Sequence, residues 1–272
     1  NALAAGSYAD TFTVQTTDVH GATGTATLTV DVTGANDANG PVIDTASFQV
    51  EHIIENGNDI VNDLVVIDTD AGAAADTFTV TLSTAHPDVS SVYFAPMTGS
   101  LEQINAGLAS GGTGVVYDPT GASTDDYPQP PEFDQITLTV ADSSGHSDTV
   151  NFIFVEGETS QQIVLSGADG KDVIFATESS DTLIGGGGKD QFVFAPAASQ
   201  DAIQHTVNDF EIGLDKIDLR QFSGISSIGD LSPASQDGGT LLTLDNHETI
   251  LLKGVVSANL QASDFIFGPH VT

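Results

Sequence analysis

The chain has no cysteine, no tryptophan and a single methionine among its 272 residues. No disulfide can staple it, and thiol-based metal or redox chemistry is closed to it. Cations are nearly as scarce, with 5 Lys and Arg against 38 Asp and Glu and a formal charge of −33. All five (Lys171, Lys189, Lys216, Arg220, Lys253) lie beyond residue 170, and the 170 residues before them hold 24 carboxylates. Repulsion on that scale opposes compaction unless something neutralises it. Nucleic acid and anionic membranes are poor partners for such a surface, and no nucleic-acid partner is expected. No apolar run approaches the ~18 residues of a membrane span, so no membrane insertion is expected. Residue 1 opens mid-pattern, without the basic and apolar regions of a signal peptide.

Catalytic motifs are missing as well. His247-Glu248 continues as Thr-Ile-Leu, which is not a zinc-protease H-E-x-x-H, and no G-x-S-x-G elbow occurs. The seven histidines are scattered and read as polar surface residues. No catalytic site is expected.

What the chain does contain is strand pattern. At 39% apolar residues it can build real cores. Residues 12–32 and 138–155 each read as an alternating strand, a D-x-x-G turn (Asp18 to Gly21, Asp142 to Gly145) and a second alternating strand. The turns lie 124 residues apart, a spacing that suits tandem β-sandwich domains. Between them, VTGANDANGPVI (residues 32–43) clusters the residues at which one domain stops and the next begins. Strands are expected near 42–50, 63–68, 76–83, 91–95, 113–117, 135–141 and 148–155. One short helix follows the capping box Ser100-Leu101-Glu102-Gln103, with Leu101, Ile104 and Leu108 on one face. Four prolines make 118–134 a long loop.

Beyond Gly157 a nine-residue period takes over. Residues 167–193 divide into GADGKDVIF, ATESSDTLI and GGGGKDQFV, with sixth-position aspartates Asp172, Asp181 and Asp190. The third copy fits G-G-x-G-x-D-x-U-x, the calcium-binding nonapeptide of RTX proteins. Each copy gives one turn and one short strand, and two give a coil of a parallel β-roll. Turns two copies apart stack, so Asp172 and Asp190 are expected to share an ion with carbonyls of Gly167, Asp169, Gly185 and Gly187. Calcium, which takes about six to eight oxygens at flexible geometry, suits such a site better than magnesium. Asp181 keeps the ligand position in a turn without the glycines for a full site.

Residues 157–267 resemble the C-terminal RTX and type I secretion target region shared by serralysin-like proteases, RTX lipases and RTX adhesins. The resemblance runs through GGGGKDQFVF, Asp201-Ala-Ile to Asp209-Phe210, and Gly213-Leu-Asp-Lys-Ile-Asp-Leu219. It places Asp201 among the calcium ligands, with Asp209 nearby, one residue further along than the family's commoner spacing. It also implies an uncleaved export signal at Asp264-Phe-Ile-Phe267, read by a type I secretion ABC exporter complex. ADTFTV, the D-x-x-G hairpin and VTGANDA resemble the VCBS and cadherin-like repeats of RTX adhesins. Their calcium linkers make Asn36, Asp37 and Asn39 candidate ligands, with Asp68, Asp70 and Asp142 behind them; for each, a turn that satisfies its own backbone is the competing role.

The expected fold is all-β: an Ig-like or cadherin-like β-sandwich followed by a parallel RTX β-roll with C-terminal capping strands. Residues 1–38 would close a preceding repeat and its linker, 39–156 form the sandwich, and 157–272 form the roll and secretion signal. The expected function is calcium-dependent folding, with several ions, and secretion of a large bacterial adhesin, monomeric and located outside the cell or on its surface. Any host or biofilm ligand would be met by other domains. The alternatives are the noncatalytic tail of a secreted RTX protease or lipase, and a sandwich that binds a glycan or protein.

Overall fold

The computed structural model describes residues 6–34, 40–46, 48–51, 59–69, 76–85, 91–93, 96–109, 115–118, 133–155, 162–198, 201–244 and 247–268. It is built almost wholly of strands. β1 (Gly6–Thr17) and β2 (Thr23–Gly34) form an isolated antiparallel hairpin. β3 (Val42–Asp44), β4 (Gln49–Glu51), β5 (Asp59–Asn62), β6 (Val65–Ile67) and β7 (Phe78–Thr84) follow. Next come β8 (Ser91–Tyr93), β9 (Met97–Gly99), the helix α1 (Leu101–Leu108), β10 (Val115–Asp118), β11 (Phe133–Ala141) and β12 (Ser147–Val155). The segment expected as one strand at 42–50 is two. β3 pairs with β6, whereas β4 joins a sheet ordered β4-β5-β10-β8. α1 starts at the expected box: Gln103 N–H donates to Ser100 Oγ at 3.3 Å, and Ser100 N–H donates to Gln103 Oε1 at 2.9 Å. Its Asn105 bonds both N–H and C=O of Val66, so the helix docks by copying a strand edge.

The nonapeptides lie on alternate walls of a roll. β13 (Val164–Ser166), β16 (Thr182–Ile184) and β19 (Ile203–Val207) stack in parallel on one wall. β15 (Asp172–Phe175), β18 (Gln191–Val193) and β20 (Lys216–Leu219) stack on the other. The turns between the walls carry β14 (Asp169–Gly170) and β17 (Gly187–Gly188). β21 (Ala234–Gln236), β22 (Gly239–Thr243) and β23 (Glu248–Leu252) extend the first wall, and β24 (Phe265–Phe267) closes the second beside β20.

One sheet links the two halves of the molecule. Its order is β24-β20-β18-β15-β12-β11-β7-β9, and β12 pairs parallel to β15. Phe152 and Phe154 of β12 lie in one core with Phe78, Leu138 and Val173; Ile153 faces the other with Ile174, Phe192 and Ile217. A strand covered on both faces has no polar side to show, which explains the unbroken apolar run Phe152-Ile-Phe-Val155.

Candidate cation site in the stacked glycine turns

The first and third nonapeptide turns lie directly on one another. Asp169 pairs with Gly187 and Gly170 with Gly188. Gly187 N–H donates to Ala168 O and Lys189 N–H to Gly170 O, both at 3.2 Å. Glycine is obligatory in the upper turn. Gly186 and Gly188 hold φ of 93° and 142°, and a Cβ on either would collide with the Ala168 or Gly170 carbonyl below.

Buried aspartates line this edge in a regular ladder. Asp172 Oδ2 accepts from Ala168 N–H, four residues earlier, at 2.9 Å. Asp215 Oδ2 accepts from Glu211 N–H, again four residues earlier, at 2.8 Å. The other oxygens bind neighbouring coils: Asp190 Oδ1 accepts from Asp172 N–H at 3.1 Å, and Asp215 Oδ1 from Asp190 N–H at 3.0 Å. Asp190 breaks the pattern. The donor four residues before it, Gly186 N–H, goes instead to Asp209 Oδ2, while Gly185 N–H goes to Asp209 Oδ1, both at 2.9 Å. Asp190 Oδ2 is buried and has no hydrogen-bond partner. Burial, then the charges of Asp215, Asp172 and Asp209, push its pKa up to about 7 against the Asp172 N–H bond.

A buried carboxylate oxygen without a donor, surrounded by three more carboxylates, is an arrangement that a cation would complete. Among the described residues no three carboxylate or imidazole side chains form a metal cage of their own. A cation here would therefore draw most of its ligands from backbone carbonyls. Gly167, Asp169, Gly185 and Gly187 all belong to the two stacked turns, with Asp172 and Asp190 beside them. A Cβ on Gly167 would reach 2.5 Å from Asp172 Oδ2, so the first glycine keeps that carboxylate's approach open.

Asp181, on the opposite edge, is satisfied from within. Its Oδ2 accepts from Thr177 N–H at 2.8 Å and Thr177 Oγ1 at 2.7 Å, and its Oδ1 from Ile163 N–H at 3.4 Å. Beside it lies His205, 1% exposed, with Nδ1 at 3.8 Å from Asp181 Oδ2 and Nε2 at 3.6 Å from Glu248 Oε1. His205 is thus no surface residue: β19 turns it inward against Phe194.

The remaining candidates disperse. Asp209 is drawn into the stack, but as the cap on Gly185 and Gly186; Asp201 lies exposed ahead of β19. Asp142 closes its own turn, accepting from Ser144 N–H at 2.8 Å and His146 N–H at 2.9 Å on Oδ1, with His146 Nδ1 at 3.1 Å from Oδ2. Asp68 follows β6, half-buried. Asn36, Asp37, Asn39 and Asp70 lie outside the described residues.

Three residues of the ladder were not anticipated. Asp215 stands 25 residues after Asp190, so the 18-residue coil spacing between Asp172 and Asp190 conceals it. Asp264 continues the series, accepting from Gly213 N–H at 2.9 Å and Gln261 N–H at 2.8 Å; the segment expected as an export signal thus also forms the edge strand β24. Asn151 belongs to β12, outside the nonapeptides altogether, and donates to Asp172 Oδ1 at 2.8 Å.

Residues 115–236, less than half of the chain, match the family model described as Peptidase M10 serralysin C terminal. No curated protein matches. Among solved structures, the chain is similar to the AlgE6R3 subunit of the Azotobacter vinelandii mannuronan C5-epimerase, at 28% identity and a TM-score of 0.32. That match covers 40% of this chain and 68% of the other. A second similarity, to the extracellular lipase LipA of Serratia marcescens, has 15% identity and a TM-score of 0.30. It spans 48% of this chain and only 29% of the lipase. At these TM-scores neither structure bears on function. The C-terminal region is of the RTX β-roll type, on the family model and on the parallel coils themselves.

Proposed function

We propose that this chain is a calcium-stabilised, noncatalytic module of a secreted bacterial protein, the C-terminal end of a large RTX adhesin. The observation that carries the calcium reading is the unpartnered, buried Asp190 Oδ2 within stacked glycine turns. Calcium, when bound, supplies positive charge and a flexible oxygen-coordination shell. The chain's own part is to hold Asp172 and Asp190 on adjacent coils and to leave glycine backbone uncovered between them. Without a cation, the carboxylates repel and the glycines favour the entropy of the open chain. Circular dichroism and calorimetry in calcium, then in excess EGTA, test this. Strand signal should fall on chelation, and magnesium at equal concentration should restore it poorly. Strand content indifferent to EGTA would remove calcium from the proposal.

Export through a type I ABC exporter accounts for a fold that waits for external calcium. In that view the −33 charge keeps the chain expanded inside the cell, and the roll folds as it emerges. Deleting residues 260–272 should abolish export. Because this deletion also removes β24, secretion and the folding of the purified product must be measured together.

The duplicated hairpin favours an adhesin. β1–β2 and β11–β12 share a register, with Phe12 opposite Leu28 and Ile136 opposite Phe152, each pair offset by 124 residues. Both turns close with the same aspartate bonds. The serralysin-type match favours the second reading, the tail of a secreted enzyme. Characterising the natural secreted protein separates them: further hairpin-bearing repeats upstream support the adhesin, and a protease or lipase domain supports the tail.

A further inference from the structure

β12 belongs to two structures at once, pairing antiparallel with β11 and parallel with β15. Asn151, midway along it, donates its backbone N–H to Lys171 O at 3.0 Å and its side-chain Nδ2 to Asp172 Oδ1 at 2.8 Å. The amide is itself held from behind. Thr137 Oγ1 on β11 donates to Asn151 Oδ1 at 2.8 Å and accepts from Gln135 Nε2 at 3.3 Å. Hydrogen bonds therefore run without a break from β11 to Asp172, and onward through Asp172 N–H to Asp190.

Cations tie the same seam. Lys171 Nζ lies 2.6 Å from Asp148 Oδ2 and 2.9 Å from Ile43 O, and that same Asp148 oxygen accepts from Ile43 N–H at 2.7 Å. Arg220 forks onto Asp218, donates to Ala46 O and Phe48 O, and lies 5.1 Å over the Phe48 ring. The first 170 residues have no Lys or Arg of their own. Two of the five cations in the chain thus reach back from the roll: Lys171 neutralises Asp148, and Arg220, its charge paired with Asp218, clamps the Ala46 and Phe48 carbonyls.

We infer that Asn151 is a positioning residue for the first calcium turn, and that residues 42–155 and the roll form one calcium-linked folding unit. The inference rests on the proposed calcium function for its trigger alone; the seam itself is independent of it. Coupling of this kind is reciprocal. If an ordered β12 holds Asp172 for the ion, the ion must in turn stabilise β12 and the sheet beyond it.

The chain carries its own reporter. It has no tryptophan, and all four tyrosines precede residue 128, so the tyrosine near-ultraviolet dichroism arises wholly from residues before the roll. In calcium titrations of the full chain carrying Tyr8→Phe, which leaves tyrosine only within residues 42–155, run above the temperature at which the strand signal melts in EGTA, this signal and the far-ultraviolet strand signal should rise with one midpoint. Val80→Ala removes core packing in β7, which β11 and β12 separate from β15, and should nonetheless raise the calcium midpoint at least threefold. Asn151→Ala should raise it further than Val80→Ala for an equal loss of heat stability in EGTA. Tyrosine dichroism that persists in EGTA at that temperature, after the strand signal has melted, would overturn the coupling. So would a Val80→Ala variant that loses that signal while its roll takes up calcium at the wild-type midpoint; a variant whose roll also fails would uphold it. Equal midpoint shifts for the two variants would remove the positioning role. If calcium moves neither signal, the calcium proposal fails and heat decides the seam: one coincident transition upholds it, and two separate ones overturn it.

Discussion

Asp181 and Asp190 occupy the same nonapeptide position, one on each edge of the roll, and both are buried. Asp181 is satisfied by donors of the chain itself, the Thr177 N–H and hydroxyl and the Ile163 N–H, with the enclosed His205 accepting from its backbone N–H. Asp190 has one oxygen bonded to Asp172 N–H and the other to nothing, with carboxylates on three sides. The turn sequences account for the difference. ATESSD brings a threonine hydroxyl onto its aspartate, whereas GGGGKD, with its Lys189 exposed, brings four glycines and no such donor. One edge is closed by protein alone and the other is left for a cation, so only the second should respond to calcium.

The largest break in this comparison comes from Gly188→Ala. At φ 142° with the Gly170 carbonyl directly below, the added Cβ must force the stacked turns apart, at a cost of more than about 3 kcal/mol. Calcium titration of this variant should show no high-affinity binding. Gly170→Ala, strained at φ 127° but with open space around its Cβ, should fold and bind with reduced stability. Equal behaviour of the two would mean that the turns do not stack.

Aspartate substitutions sharpen the contrast. Asp190→Ala should weaken calcium affinity at least tenfold, yet cost less heat stability in EGTA than Asp181→Ala, since relief of a buried unpartnered oxygen offsets the Asp172 N–H bond it loses. Asp181→Ala should cost about 3 kcal/mol with or without calcium, because it strands buried donors that a carboxylate satisfied. Paired melts in EGTA and in calcium check both; a calcium-dependent Asp181→Ala effect would erase the distinction between the edges.

How much of this was legible follows from the range of each signal. The nonapeptide period gave the stacking of Asp172 on Asp190, because an 18-residue coil repeats its own chemistry. The capping box gave the start of α1, and alternation gave β11 and β12. Asp215 was hidden because the chain between the second and third coils is longer, which breaks the period without breaking the ladder. Asn151 and His205 depend on pairings across 21 and 24 residues or more, set by which strands lie side by side. The shared sheet left one trace, the unalternating run at 152–155, and a run of four cannot say what covers its second face.

Acidity should act on the cation edge in the same direction as calcium, because a proton on Asp190 relieves the same buried charge. Burial, chiefly, raises Asp190 to about 7 and also raises Asp215 and, on the other edge, Asp181. A carboxyl whose folded pKa exceeds its unfolded value binds its proton more tightly in the fold. Its stabilising contribution is complete below the unfolded value near 3.8 and is lost as pH rises through the folded value. Calcium-free protein should therefore melt several degrees higher at pH 5 than at pH 8, and saturating calcium at pH 8 should close most of that gap. A calcium-free melting temperature that rises from pH 5 to pH 8 would contradict the buried, unpartnered state of Asp190.

The smallest effect is expected at Asp142, where the comparison is with a turn that needs no ion. Burial works against its charge, but bonds from the His146 backbone and ring and the Ser144 N–H outweigh it and hold the carboxyl below its usual range. Asp18, its counterpart in the first hairpin, makes the same backbone bonds, to His20 and Ala22 N–H, at 2.8 and 2.9 Å. Both aspartates thus use their oxygens to close a turn, as a side-chain cap does. Asp142→Ala should cost about 1 kcal/mol, the usual worth of such bonds. Through the shared sheet it should shift the calcium midpoint slightly, so affinity is the wrong readout for its role. The number of ions bound at saturation is the right one: equilibrium dialysis should find it unchanged in Asp142→Ala and reduced in Asp190→Ala. Loss of an ion from Asp142→Ala would make the hairpin turn a calcium site in its own right.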